Sequence, residues 1–313
     1  MAVENIDADQ QAPIEHAPPF SKYRPTLKPA FYLNRELSLL SFNARVLDAA
    51  LDEQNPLLER LKFLYIFHAN LDEFFMIRAS GIREQVKAGV TDPSPDGMTP
   101  AEEMVAIRTR ALPLLQKAAQ CFRESLAPAL ARQGITIAEY DDLNESQKIA
   151  ADAYFHSTVF PVCTPLAVDP GHPFPHISNP SLNLAVELQD PDGRTRFARV
   201  KVPNVLPRMM QVPGEAGTLT YVWLEGVLAA NLGALFPQMQ LREVHPFRVI
   251  RDADLEIQEL EAFDLLTTIE ESLHQRRFGS AVAMFVNSGM PERMRLLLTE
   301  NLELDSIDVY TIN

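Results

Sequence analysis

The run HANLDEFFMIR places an amide, two carboxylates and a guanidinium close together, as Asn70, Asp72, Glu73 and Arg78, among aromatic residues. Ordinary core packing does not ask for that mixture. With Glu73 three residues on, Asn70 fits the capping box of a helix that starts there, the amide oxygen accepting from free backbone N–H groups. The adjacent acids Asp72 and Glu73 invite a general acid-base or metal reading. On one helix, however, neighbouring side chains point about 100° apart and do not converge. A first-turn acid favoured by the helix dipole is the plainer account. Arg78 is expected to form a structural ion pair, while Phe74, Ile77 and Gly81 turn toward the core.

Two further clusters could carry chemistry. In PGHPFPHISN, His172 and His176 have the spacing of two zinc ligands on a helix, but Pro173 and Pro175 exclude that helix and no Cys or acid stands at ligand spacing. A rigid loop is expected, and no metal site. In RVIRDADLEI, Arg251 with Asp252 and Asp254 could be imagined around a metal or phosphate, yet charges at a strand end closing into a turn are commonly structural. No glycine-rich phosphate loop, GxSxG elbow or kinase signature occurs, so no separate nucleotide-hydrolysing machinery is visible. No catalytic residue is assigned.

The elements that must position these groups follow from periodicity. Residues 1–30 are Pro-rich and aperiodic, a disordered tail with a docked end near Phe31. Asn34 caps a helix that turns Leu37, Leu40, Ala44, Leu47 and Leu51 to one face. Asn55-Pro56 opens a second helix, Leu57 to Phe67, apolar nearly all round and therefore central and buried. A third runs from about Asn70 to Val90. Thr99, Pro100 and Glu102 open a fourth, which Pro113 and Pro128 should bend or interrupt.

After Gly134 the pattern becomes mixed. Asn144 and Gln147 cap a helix toward Phe160, LNLAVELQ and TRFARVKVP form a hairpin around DPDG, and TYVWL and FRVI read as strands. LEAFDLLTTIEESLHQRR is a long amphipathic helix, followed by strand, helix and strand in AVAMFVNSG, PERMRLLLTENL and DVYTI. The fold class is thus mixed α and α+β: an all-α part over 31–133, then an α+β part over 134–313 with a mainly antiparallel sheet.

The chain has 313 residues, 46% hydrophobic, and a formal charge of -14 at pH 7. That balance argues against a general nucleic-acid surface or a polyanion groove spread over the chain. Neither a membrane span nor a signal peptide is seen, pointing to the cytoplasm. Cys121 and Cys163 are expected to be free, buried thiols.

Three stretches, ELSLLSFNARVL, NPLLERLKFL and NLDEFFMIR, together resemble the N-terminal domain of bacterial polyphosphate kinases. HPFPHISN, RVIRDADLEI and the final DVY resemble segments of the same family's head domain. The resemblance implies a parent enzyme in which a histidine takes the γ-phosphate of ATP and passes it to polyphosphate. It also implies that Asn70, in NLDEF, faces the adenine of bound ATP, and it gives Arg78 a second reading as a phosphate contact. The nucleophilic histidine and the Mg2+ site would lie in two phospholipase-D-like catalytic domains expected beyond Asn313. This portion would be inactive alone, supplying one wall of the nucleotide pocket and much of a homodimer contact, with Met209, Met210, Trp223 and Phe236 left over from a small core. ATP or ADP and polyphosphate would be the partners, with no nucleic acid. The implied location is cytoplasmic, compatible with peripheral association with a membrane. The alternative is a stand-alone, non-enzymatic binding or scaffold protein built from the same two domains.

Overall fold

The computed structural model describes residues 28–168, 174–175, 177–253 and 279–312. Three helical rods come first. Asn34 caps α1 (Arg35–Leu51), its Oδ1 accepting from the Leu37 N–H at 2.8 Å. Of the stripe that the sequence predicts, Leu40 and Leu47 are buried and Leu37, Ala44 and Leu51 half-buried, while Ala50 joins the buried face unpredicted. Phe31, expected to dock the tail, is instead 70% exposed.

The second and third helices of the sequence reading are one continuous rod. α2 (Leu57–Glu73) runs through a π-helical turn (Phe74–Ala79) into α3 (Ser80–Lys87). No helix starts at Asn70, whose own carbonyl accepts from the Phe74 N–H inside the rod. Asn55 does not cap α2 either; its amide donates to the Ala49 carbonyl at 2.8 Å and Pro56 stands at the cap. Nor is α2 buried all round, because Leu58 is 65% and Tyr65 73% exposed.

Thr99 and Glu102 make the expected capping box of α4 (Pro100–Cys121), and Pro113 is absorbed within that helix. The interruption comes at a π turn (Phe122–Leu126) leading into α5 (Ala127–Arg132). This wider turn sits directly before Pro128, which has no N–H to give to the ladder.

Two sheets follow. β1 (Ile135–Ala138), β6 (Leu219–Trp223) and β5 (Met209–Val212) form a three-stranded sheet. The larger sheet has the order β2-β4-β3-β7-β8-β9, from β2 (Pro165–Val168), β3 (Ser181–Gln189), β4 (Thr195–Lys201), β7 (Gln240–Arg251), β8 (Ala281–Asn287) and β9 (Val309–Ile312). Among the described strands of this sheet only β8 and β9 pair in parallel, so the mainly antiparallel, α+β reading holds. β3 and β4 form the expected hairpin, with Gly193 at φ +83 closing the DPDG turn where a Cβ would be strained. α6 (Glu145–Tyr154) opens on the Asn144–Gln147 capping box, α7 is Leu224–Ala230, and α8 (Glu292–Leu302) joins β8 to β9. The long helix expected in LEAFDLLTTIEESLHQRR lies outside the described residues.

The core explains how these parts hold together. Phe75 and Phe67 from the rod share one hydrophobic cluster with Ile250 of β7, Val282 of β8 and Tyr310 of β9. A second cluster fills the space between α6, α7 and one face of the larger sheet; a third lies between its other face and α8. Phe236 belongs to the second cluster, Met210 packs against it, and Trp223 lies 6.3 Å from the Phe122 ring. Phe236 is thereby an interior contact, while Met209, Met210 and Trp223 remain half-buried. Cys121 is buried and Cys163 half-buried, both free.

Candidate functional site

A buried amide organises the contact between α1 and α2. Asn43 interrupts the apolar stripe of α1 between Leu40 and Leu47 and is 4% exposed. Its Nδ2 donates to the Phe67 carbonyl at 3.0 Å, and its Oδ1 accepts from Asn70 Nδ2 at 3.2 Å. One N–H of Asn70 is thereby fixed. Its Oδ1 and second N–H have no partner among the described residues, so an acceptor and a donor remain side by side on one planar group.

Asn70 lines a cleft of about 270 Å³ between the two helices. Leu39, Phe42, Phe74 and Ile77 supply apolar walls, while Glu73 and Arg78 add charge. Phe42 is 51% and Leu39 39% exposed, unusual for large apolar side chains on a helix that already has a buried face. A flat apolar slot with one amide edge matches the general form of small-ligand sites, in which a few polar groups orient a mainly apolar contact.

The π turn decides what faces the cleft. It adds a residue to the helical repeat and rotates everything after Glu73 relative to a 3.6-residue period. Phe75 and Ala79 are buried, whereas Ile77, expected inside, is 37% exposed in the cleft wall. Ser80 Oγ donates at 2.9 Å to the Met76 carbonyl and lies 3.0 Å from that of Ile77, occupying acceptors that the wider turn presents. Phe75 then meets Tyr310 edge-on at 5.2 Å and Phe285 at 5.7 Å, anchoring the turn to β8 and β9. Arg78 forms no ion pair among the described residues, contrary to the structural role expected of it, and is exposed at the cleft.

Asp72 points the other way, to the sheet. Its carboxylate accepts from Arg248 Nη2 of β7 at 2.5 Å, which removes it from any paired-acid site with Glu73. His68, one turn earlier, is held below its ordinary pKa, chiefly by burial; Asp72 opposes the shift and Arg248 adds to it. Arg251 is structural as expected, donating to the carbonyls of Ile177 at 2.6 Å and Gly279 at 2.8 Å. Asn179, at the end of HISN, receives the Arg251 N–H at 3.1 Å and returns Nδ2 to the Arg251 carbonyl at 3.1 Å. The Ala253 N–H reaches the Met76 carbonyl at 3.1 Å. NLDEF, HISN and RVIRDA, far apart in sequence, thus form one junction. His172, His176 and Asp254 lie outside the described residues. Among the described residues no three His, Cys, Asp or Glu side chains gather as a metal set.

Asn43, Leu39 and Phe42 are the site residues missed by the sequence reading. An amide three residues after Leu40 and four before Leu47 was the available signal, since a polar group on a buried stripe needs a specific partner.

A family model described as the polyphosphate kinase N-terminal domain matches residues 32–138, and one described as the polyphosphate kinase middle domain matches residues 146–313. A polyphosphate kinase of Prosthecochloris aestuarii is 49% identical over 292 residues, covering 91% of this chain and 41% of the relative. Polyphosphate kinase 1 of Chlorobaculum tepidum is 46% identical, covering 91% of this chain and 42% of its own length. The crystal structure of polyphosphate kinase from Porphyromonas gingivalis superposes with a TM-score of 0.73 at 23% identity, over 90% of this chain and 39% of that one, a likeness of fold. The chain therefore spans about two fifths of the length of these relatives.

Proposed function

The chain belongs to the polyphosphate kinase family, spanning its N-terminal and middle domains, and from that premise we propose that it forms the adenine-facing wall of the nucleotide site in a polyphosphate-synthesising phosphotransferase. The observation that carries the proposal is the half-satisfied amide of Asn70, fixed by Asn43 in an apolar cleft. The exocyclic amine and adjacent ring nitrogens of adenine offer a neighbouring donor and acceptor, the complement of the free edge of Asn70. Leu39, Phe42 and Ile77 would contact the faces of the base. Arg78 is the cation in this cleft and is assigned to the phosphate tail.

In this reading the transfer itself, through a phosphohistidine on a further part of the enzyme, does not use the residues of this cleft. The described residues offer no converging ligand set for the Mg2+ that the family implies, and no step here runs through it. The helical part, 31–133, is assigned to nucleotide binding and the α+β part, 134–313, to assembly of a homodimer. No helix among the described residues is long and apolar enough to cross a membrane, and we assign the enzyme to the cytoplasm. Two family domains in their family order favour this account over a stand-alone scaffold.

Photolabelling of the full-length protein with an azido-adenine analogue of ATP tests the assignment. Label on peptides covering residues 35–51 or 57–87 is expected. Label confined to other segments would overturn it.

A further inference from the structure

A second cleft, sharing no lining residue with the first, lies at the β2–β4 edge of the larger sheet. It has a volume of about 260 Å³ and is lined by Arg199 and Lys201 of β4, Thr164 and Leu166 beside them, and Asn204 in the loop that follows. Alternation along β4 puts Arg199 and Lys201 on the same face, roughly 6.6 Å apart along the strand. They face the cleft together.

Among the described residues, the partners of these two cations are all neutral. Arg199 is 5% exposed, and its Nε donates to Oδ1 of Asn183 at 2.8 Å. Asn183 is held in turn by Ser181, its Nδ2 donating to the backbone oxygen at 3.1 Å and to the hydroxyl at 3.0 Å. Lys201 Nζ donates to the Ser178 hydroxyl at 2.8 Å. No carboxylate among the described residues pairs with either cation, and none lines the cleft. In a chain of formal charge -14, where carboxylates outnumber cations 42 to 28, that is a local inversion of charge. A buried guanidinium normally has an anion beside it, because its lost hydration is otherwise poorly replaced. Burial lowers the pKa of Arg199, with no acid among the described residues opposing it.

We propose that the Arg199–Lys201 cleft binds a phosphate-type oxyanion, which completes the charge balance that the described residues leave open. The guanidinium supplies a planar fork for two oxygens, the ammonium a point charge, and Thr164 and Asn204 neutral donors at the open end. The lining, two cations and two neutral donors with no carboxylate among the described residues, suits one phosphate or the end of a short phosphate chain. Neither Asn70 nor adenine recognition enters this inference.

The test is calorimetric titration of the 313-residue chain with inorganic phosphate and, separately, with linear tripolyphosphate, at fixed ionic strength. Lys201→Gln, Arg199→Gln and Arg78→Ala are titrated in parallel. Either lysine or arginine substitution should weaken anion binding about tenfold, the effect of one lost charge-assisted hydrogen bond. Arg78→Ala should leave it unchanged. Tripolyphosphate binding at least tenfold tighter than phosphate assigns the cleft to a chain end; equal affinities assign it to free phosphate. If Arg199→Gln does not fold, Lys201→Gln decides alone, since its amide can still meet Ser178. No measurable binding, affinity unchanged in Lys201→Gln, or a loss confined to Arg78→Ala would overturn the proposal.

Discussion

The carboxylate of Asp72 and the guanidinium of Arg248 meet at 2.5 Å, tying the helical rod that carries Asn70 to the central strand β7. Both side chains keep some solvent, 24% and 30% exposed, so the pair should be worth about 1 kcal/mol. A double-mutant cycle with Asp72→Asn and Arg248→Gln, read by urea denaturation, should return a coupling of that size. A coupling near zero would show the contact to be incidental.

His68 beside this pair gives stability a pH dependence. Burial lowers its pKa in the fold, so the unfolded chain binds the proton more readily. Stability from this group is complete above the unfolded value, about 6.5, and falls as pH drops from there through the folded pKa. Replacing His68 with Gln should flatten the stability profile below about pH 6.5 relative to the parent. A slope unchanged by the substitution would contradict the assignment.

Arg83 and Asp308 form the buried counterpart, 5% and 2% exposed at 3.0 Å, joining α3 to the turn before β9. Arg83→Ala strands a carboxylate in the interior and should cost about 3–5 kcal/mol. The double substitution Arg83→Met with Asp308→Leu should recover most of it, because a matched apolar pair carries no uncompensated charge. Chemical denaturation of the parent and these two variants checks both statements.

The sequence revealed element types well and phases poorly. Thr99–Glu102 and Asn144–Gln147 announced their helices because capping is local chemistry, written within four residues. The Asn70–Glu73 pair has the same spelling and caps nothing, since the preceding helix offers Asn70 a continuing ladder and Asn43 takes its side chain. Ile77 was placed in the core because the expected period was 3.6, and the π turn at Phe74–Ala79 cannot be read from composition. Asp72–Arg248 spans 176 residues of sequence, a separation at which spacing carries no information. Asn70 was found as a candidate only through the NLDEF resemblance; the partner that orients it, Asn43, was not found at all.

His68 and His245 are poor nucleophile candidates. His68 is packed beside Asp72 and Arg248, and His245 lies 3.4 Å from Glu243 with Asn287 at its other ring nitrogen. Incubation of the 313-residue chain with γ-labelled ATP should leave no acid-labile phosphate on it. A phosphohistidine in this chain would move the chemistry into the part proposed here to bind.

The central claim is that Asn70 contacts adenine, and steady-state kinetics of Asn70→Ala in the full-length enzyme test it most directly. A contact remote from the transferred phosphate holds ground and transition states alike. The KM for ATP should therefore rise by roughly five- to thirtyfold, corresponding to about 1–2 kcal/mol for an unmet polar group, while kcat changes little. An unchanged KM, with only a lower melting temperature from the lost bond to Asn43, would contradict the account.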